Sequence, residues 1–177
     1  EWVQGILDLE TRPRVRVFVR VDRFERFVSL LVYVPRDRYT SMVRERIGEP
    51  SEPTRAFLVA AADAAAERWR EPDQGIWEVR SEPRDFLYSK LMCWVALDRA
   101  IALAPSIGAE DRVEDWAATR EEIREAILTR GWNPSAGAFT QAFGADELDA
   151  SSLMVPIVGF LPGDDGRVRA TIDAIEA

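Results

Sequence analysis

The sequence predicts a mainly α protein with a small β-rich segment in front of its helices. Two observations carry this. Residues 14–21 alternate Val15, Val17, Val19 and Val21 with Arg14, Arg16, Phe18 and Arg20, and period two is the signature of a half-buried strand. From Thr54 onward the texture changes to helical spacing, and helices that are apolar nearly all round alternate with amphipathic ones. That alternation is what a two-layered ring of antiparallel helices requires, and a plain bundle or a repeat array would show part of it. No repeat of fixed period is visible, which weakens the array reading.

The elements follow in order. After the first strand, Asp22–Arg26 reads as a turn and Phe27–Val34 as a second, more apolar strand, so the pair is expected to form an antiparallel hairpin. Pro35 stops it, and Asp37 can cap a short helix over residues 38–47. Gly48, Pro50 and Pro53 mark a linker, which gives a segment 1–49 and a helical domain 54–177. In the first helix, Phe57, Ala61, Ala65 and Trp69 recur at i+4 and are expected to form its buried face. Phe86–Ala104 carries only Lys90, Asp98 and Arg99 as charges and should be the most buried helix. Within it, Lys90 and Asp98 are expected to find structural partners elsewhere. Asp111–Thr129 has Val113, Trp116, Ile123 and Ile127 on one face and should be an outer helix ending at Gly131. Trp69, Trp94 and Trp116 are expected in the core. Residues 133–137 form a turn and 138–143 a short extended piece. Asp149 can cap a helix reaching Phe160, and a last helix starts at Asp165.

Composition narrows the chemistry. The 177 residues carry a net charge of −8 with a pI near 4.8, which argues against nucleic acid or an anionic membrane as partner. There is no histidine and one cysteine, Cys93. Ser-His-Asp and Cys-His catalysis are thereby excluded, as are His-ligated and Cys-cluster metal sites. No metal and no cofactor is expected. Cys93 falls in an apolar helical run and reads as a buried, inert thiol. Acid–base chemistry must come from the 31 Asp and Glu residues. Neither an apolar run long enough to span a membrane nor a leader pattern is visible, so a cytoplasmic protein is expected.

One stretch stands out: Pro72-Asp-Gln-Gly-Ile-Trp-Glu-Val-Arg80. It lies between two helical runs and combines a glycine turn, an aromatic, a carboxylate and a guanidinium. A carboxylate beside an indole in a cleft is a candidate general acid, because partial desolvation favours its protonated form. Glu78 is that carboxylate. Trp77 and Arg80 are the candidate substrate-binding residues, Trp77 by stacking its ring on a ligand and Arg80 by donating to a polar group on it. The competing reading of Trp77 is packing, and of Arg80 a salt bridge to Glu78. Asp73, Glu82 and Asp85 are expected to be solvated or capping.

Four ordered blocks resemble the family 15 glycoside hydrolases, the glucoamylase- and trehalase-like enzymes. They are Ala65–Arg80 with its Gly75-Ile-Trp-Glu78 motif, Tyr88–Arg99, Gly131-Trp-Asn-Pro134 with Gly137-Ala-Phe-Thr-Gln141, and Leu148-Asp-Ala-Ser-Ser-Leu153 with Gly159-Phe-Leu-Pro162. The resemblance implies an (α/α)6 toroid, of which this chain would form part, and an inverting attack on α-glucosidic bonds with Glu78 as general acid. An α-glucoside or trehalose-type sugar would be the substrate. The family's upstream Arg-Asp clamp is absent here, and its general base lies further downstream than these residues reach. The implied site is therefore incomplete, and the chain is expected to be inactive alone. Helix faces left uncovered by a partial toroid should promote self-association.

Residues 14–20 and 26–39 resemble a regulatory-type α/β segment of the large bacterial NAD-specific glutamate dehydrogenases. Three readings follow: a glycoside hydrolase fragment, a regulatory or interaction segment taken from a dehydrogenase, or a non-functional chimeric reading frame.

Overall fold

The structure is a computed structural model, and it describes residues 16–21, 28–33, 50–78, 80 and 82–176. The chain divides into two compact units, Glu1–Pro50 and Ser51–Ala177. In the first, β1 (Arg16–Val21) pairs antiparallel with β2 (Val28–Tyr33), Arg16 opposite Tyr33 and Val21 opposite Val28. This is the expected hairpin. The helix expected over residues 38–47 lies outside the described residues.

The second unit is helical. Helix α1 spans Glu52–Arg68 and takes Pro53 into its first turn, where a missing N–H costs nothing because it would have no partner inside the helix. The expected linker is therefore shorter than Pro53 suggested. Its buried face also differs from the expected one. Ala62 and Trp69 are buried, with Leu58, Val59 and Ala66 packed beside them, whereas Phe57 is 68% exposed. The cause is geometric. At 3.6 residues per turn, a strict i+4 row drifts by about 40° at each step, so Phe57 and Trp69 cannot share a face. Mixed i+3 and i+4 steps hold the stripe.

Helix α2 spans Leu87–Ile107 and buries Leu87, Lys90, Leu91, Trp94, Leu97, Ala100, Ala104 and Ile107. No side chain caps its start. Instead, the Leu87 N–H donates to the carbonyl of Gln141 at 3.0 Å. Gly108, at φ 67°, ends it in the left-handed conformation, which glycine adopts without a Cβ clash. A 3-10 turn at Glu110–Arg112 leads into α3, Val113–Ala126. Its inner face carries Trp116 and Ile123, with Ile127 just beyond, as the periodicity predicts. The Trp116 indole donates to Asp63 on α1 at 3.0 Å, and Arg112 meets the other oxygen of the same carboxylate at 2.9 Å.

A π-turn, Ile127–Gly131, follows. Gly131 is buried, and a Cβ there would lie 2.5 Å from Leu87 Cδ1 and 3.2 Å from Phe143 Cε1. It is needed for close approach to α2, and it does not adopt the left-handed conformation of a helix stop. A small hairpin joins β3 (Trp132–Asn133) to β4 (Ala138–Phe139). Asp149 does cap the next helix, but that helix is short: a 3-10 turn at Ala150–Leu153, then α4 at Met154–Ile157. Gly159, at φ 81°, closes it, with the Phe160 N–H donating to the Val155 carbonyl at 3.1 Å. Helix α5 spans Gly166–Glu176. One apolar core links α1, α2, α3, α4 and α5 through Trp69, Trp94, Trp116, Val155, Phe160 and Val168. The class is mainly α with a small antiparallel sheet, as the sequence predicts. No helix among the described residues is long and apolar enough to cross a membrane.

Candidate functional site

The central stretch is a loop closed at its stem. Asp73 and Arg84 exchange backbone hydrogen bonds in both directions, at 3.0 and 2.9 Å. Asp73 also accepts from the Gly75 N–H and, at 2.8 Å, from the Ser89 hydroxyl on α2. Gly75 has φ 66°, and a Cβ on it would sit 2.8 Å from Phe86 Cγ. Both conformation and space call for glycine there. The chain then turns through Ile76 and Trp77, and the Glu78 N–H donates back to the Gly75 carbonyl at 3.3 Å.

Glu78 itself has φ 48°, and it is the one non-glycine residue with positive φ among the described residues. For an L-residue this conformation costs about 1–2 kcal/mol, and it persists only where the surroundings over-determine it. Such outliers cluster at functional sites. Glu78 and Arg80 are both exposed, and Trp77 is 61% exposed. The desolvating cleft expected around Glu78 is thus not formed by its neighbours in this loop. Among the described residues no ion pair joins Arg80 to Glu78.

The segment 141–149 runs beside the stem. Phe143 N–H donates to the Asp85 carbonyl at 2.9 Å, Gln141 N–H donates to the Glu147 carbonyl at 2.7 Å, and Phe86 bridges Ala142. This brings Asp149 to the loop. Its Oδ2 accepts from Trp77 Nε1 at 2.8 Å and from Gln141 Nε2 at 3.1 Å, while its Oδ1 accepts from the Ser151 N–H at 2.6 Å. Burial pushes the Asp149 carboxyl up, but the hydrogen bonds from Ser151, Gln141 and Trp77 outweigh it and hold the group below the usual carboxylate range. Sequence reasoning assigns Asp149 only a capping role. Its tie to Trp77 spans 72 residues and leaves no local signal.

The other nearby carboxylates are engaged. Asp85 meets the buried Lys90 at 3.1 Å and Arg130 at 2.9 Å. Lys90 Nζ donates as well to the Glu71 carbonyl at 2.7 Å. Further along α2, Asp98 pairs with Arg120 at 3.2 Å. Lys90 and Asp98 therefore have separate structural partners. Burial pushes the Cys93 thiol up, away from its reactive thiolate form. No group of His, Cys, Asp and Glu side chains among the described residues could hold a metal ion.

Comparison with known families fits this loop into a wider pattern. The family described as glycosyl hydrolases family 15 matches residues 55–177. The chain belongs to family 15 of the glycosyl hydrolases. Within it, the chain is similar to the trehalase of Mycobacterium tuberculosis, 48% identical over 132 residues, which is 75% of this chain and 19% of that protein. The trehalase of Mycolicibacterium smegmatis is 46% identical over the same shares. The chain thus spans about a fifth of the length of these family 15 relatives. Residues 16–54 match a second family, the ACT2 domain of glutamate dehydrogenase. Over 45 residues the chain is 51% identical to the NAD-specific glutamate dehydrogenase of Halomonas elongata, covering 25% of this chain and 3% of that protein. The two family matches abut between residues 54 and 55.

Proposed function

We propose that the helical unit carries the general-acid half of an inverting glycoside hydrolase site, with Glu78 as the acid and a trehalose-type or other α-glucosidic sugar as substrate. The observation that carries this is the left-handed, exposed Glu78 at the tip of a pinned loop, next to an exposed indole held by its N–H. The loop lies inside the region matched by family 15, and the trehalase relatives support the sugar class. In this reading Trp77 offers its ring to a sugar face and Arg80 offers donors to sugar hydroxyls. The helices are a segment of an (α/α)6 toroid, and the protein works in the cytoplasm.

Inversion needs two carboxyls about 6.5–9.5 Å apart, one protonating the leaving oxygen and one activating water on the opposite face. Asp73, Asp85 and Asp149, the carboxylates beside the loop stem, are each engaged by structural donors, which disfavours them as that base. Losing a positioned base costs about 10²–10⁴-fold, and losing the clamp that orients the sugar costs more. The purified chain should release no measurable glucose from maltose, trehalose or a nitrophenyl glucoside, and Glu78→Gln should change nothing in that assay. An iminosugar should still perturb the Trp77 and Glu78 resonances in an NMR titration, and Glu78→Gln should weaken that binding. Glucose release abolished by Glu78→Gln would overturn the incomplete site, and no iminosugar response at all would overturn the assignment of Glu78.

A second reading rests on the ACT2 match at residues 16–54. In it the hairpin unit is a regulatory or interaction segment, and binding of an amino acid or nucleotide to the chain would favour it.

A further inference from the structure

We propose that Asp149 is a positioning residue for Glu78: by clamping the Trp77 indole it holds the adjoining left-handed residue, and so the direction of the Glu78 carboxylate. This rests on the reading of Glu78 as the general acid. Three N–H donors converge on one carboxylate. Ser151 N–H takes Oδ1, and the Trp77 indole and the Gln141 amide share Oδ2. A carboxylate accepts at both oxygens, whereas an asparagine amide accepts at one end and donates at the other. In Asp149→Asn, either orientation of the new amide sets its NH2 against a donor, Ser151 N–H on one side or Trp77 and Gln141 on the other. The clamp therefore needs a carboxylate specifically. A helix cap alone does not, because asparagine caps as well as aspartate.

The clamp acts where the backbone is strained. Glu78 at φ 48° is held from one side by the turn through Gly75, whose own bond to the Glu78 N–H is long at 3.3 Å. Trp77, the residue directly before Glu78, adds a second tether through its hydrogen bond to Asp149 outside the loop. Without it, the turn is free to relax Glu78 towards ordinary φ, which redirects the carboxylate.

The test uses the full chain, 15N-labelled, with hydrogen exchange read at the Glu78 amide and the Trp77 indole N–H. Asp149→Asn and Trp77→Phe are compared with the unsubstituted protein. Trp77→Phe keeps the Asp149–Ser151 cap intact, so it remains informative if Asp149→Asn fails to fold. The expected result is a rise of about tenfold or more in Glu78 amide exchange in both variants. The dissociation constant of 1-deoxynojirimycin, followed at the Glu78 resonance, should rise in parallel. Exchange at Glu78 within about twofold of the unsubstituted protein in Trp77→Phe would overturn the clamp and leave Asp149 as a cap only. Absence of any 1-deoxynojirimycin response in the unsubstituted protein would instead overturn the general-acid reading, and the exchange data would still decide whether the clamp exists.

Discussion

Removing the Asp85 carboxylate should destabilise the helical unit more than removing the buried cation it serves. Lys90 is 1% exposed, and its ammonium has two partners, Asp85 Oδ1 at 3.1 Å and the Glu71 carbonyl at 2.7 Å. Asp85→Asn leaves a charge in the interior with only neutral acceptors, and breaking a buried pair in this way costs about 3–5 kcal/mol. Lys90→Met removes the charge together with its desolvation penalty. Asp85 then keeps Arg130 at 2.9 Å, and the main loss is the Glu71 carbonyl left without a donor, at about 1–3 kcal/mol. Packing of the thioether against the apolar side chains around α2 offsets part of that. Lys90→Met should therefore cost about 0–2 kcal/mol. The double variant should resemble Lys90→Met, so the coupling between the two sites should be about as large as the whole cost of Asp85→Asn, about 3–5 kcal/mol. Urea unfolding at pH 7, followed by tryptophan fluorescence and analysed at constant m-value, measures all three. If Asp85→Asn proves milder than Lys90→Met, or the two effects add within about 0.5 kcal/mol, then the ion pair does not organise this part of the core.

Gly131→Ala should cost about 1–3 kcal/mol by overpacking, because its Cβ would meet Leu87 at 2.5 Å. Leu87→Ala in the same chain should relieve part of that cost, and a double-mutant cycle with no coupling would refute the close-approach reading. Asp149 has a lowered folded-state pKa, so its contribution is present above the ordinary carboxylate value and is lost as pH falls through the lower folded value. The Trp77 indole resonance should hold steady from pH 7 to about 4 and move only below that; movement centred at or above pH 4 would contradict this. Phe57 at 68% and Ile157 at 71% exposed are apolar surface, and sedimentation should show concentration-dependent association that Phe57→Glu weakens. A clean monomer at all concentrations would remove the case for self-association through these faces.

The elements are largely legible in the sequence because their signals are local. Alternation at residues 14–21 marks β1, the long apolar run marks α2, and Trp116, Ile123 and Ile127 mark the inner side of α3. What escapes is set by geometry that short patterns do not encode. The buried face of α1 differs from the expected one because equal i+4 spacing spirals around a helix. The helix expected up to Phe160 is broken by Gly159 in a left-handed turn, although a glycine at that spacing is compatible with either outcome. Gly131 reads as a helix stop, yet its role depends on Leu87, more than forty residues earlier in the chain. The same holds for the candidate site. Gly75, Trp77 and Glu78 are visible as a motif, but the left-handed Glu78 and the carboxylate that ties Trp77 in place arise only when residues 141–149 are laid beside the loop stem.

The burial of Lys90 has a chemical consequence. It is the only lysine in the sequence, and it is 1% exposed. The folded helical unit therefore offers no side-chain amine to acylating reagents, crosslinkers or enzymes that modify lysine. Every other basic side chain is arginine, whose guanidinium stays protonated across the accessible pH range. The positive charges of the surface can be neither titrated away nor acylated. An amine-directed label would enter this side chain only during opening of the core around α2, so the rate of its incorporation at Lys90 would report the opening of the folded unit.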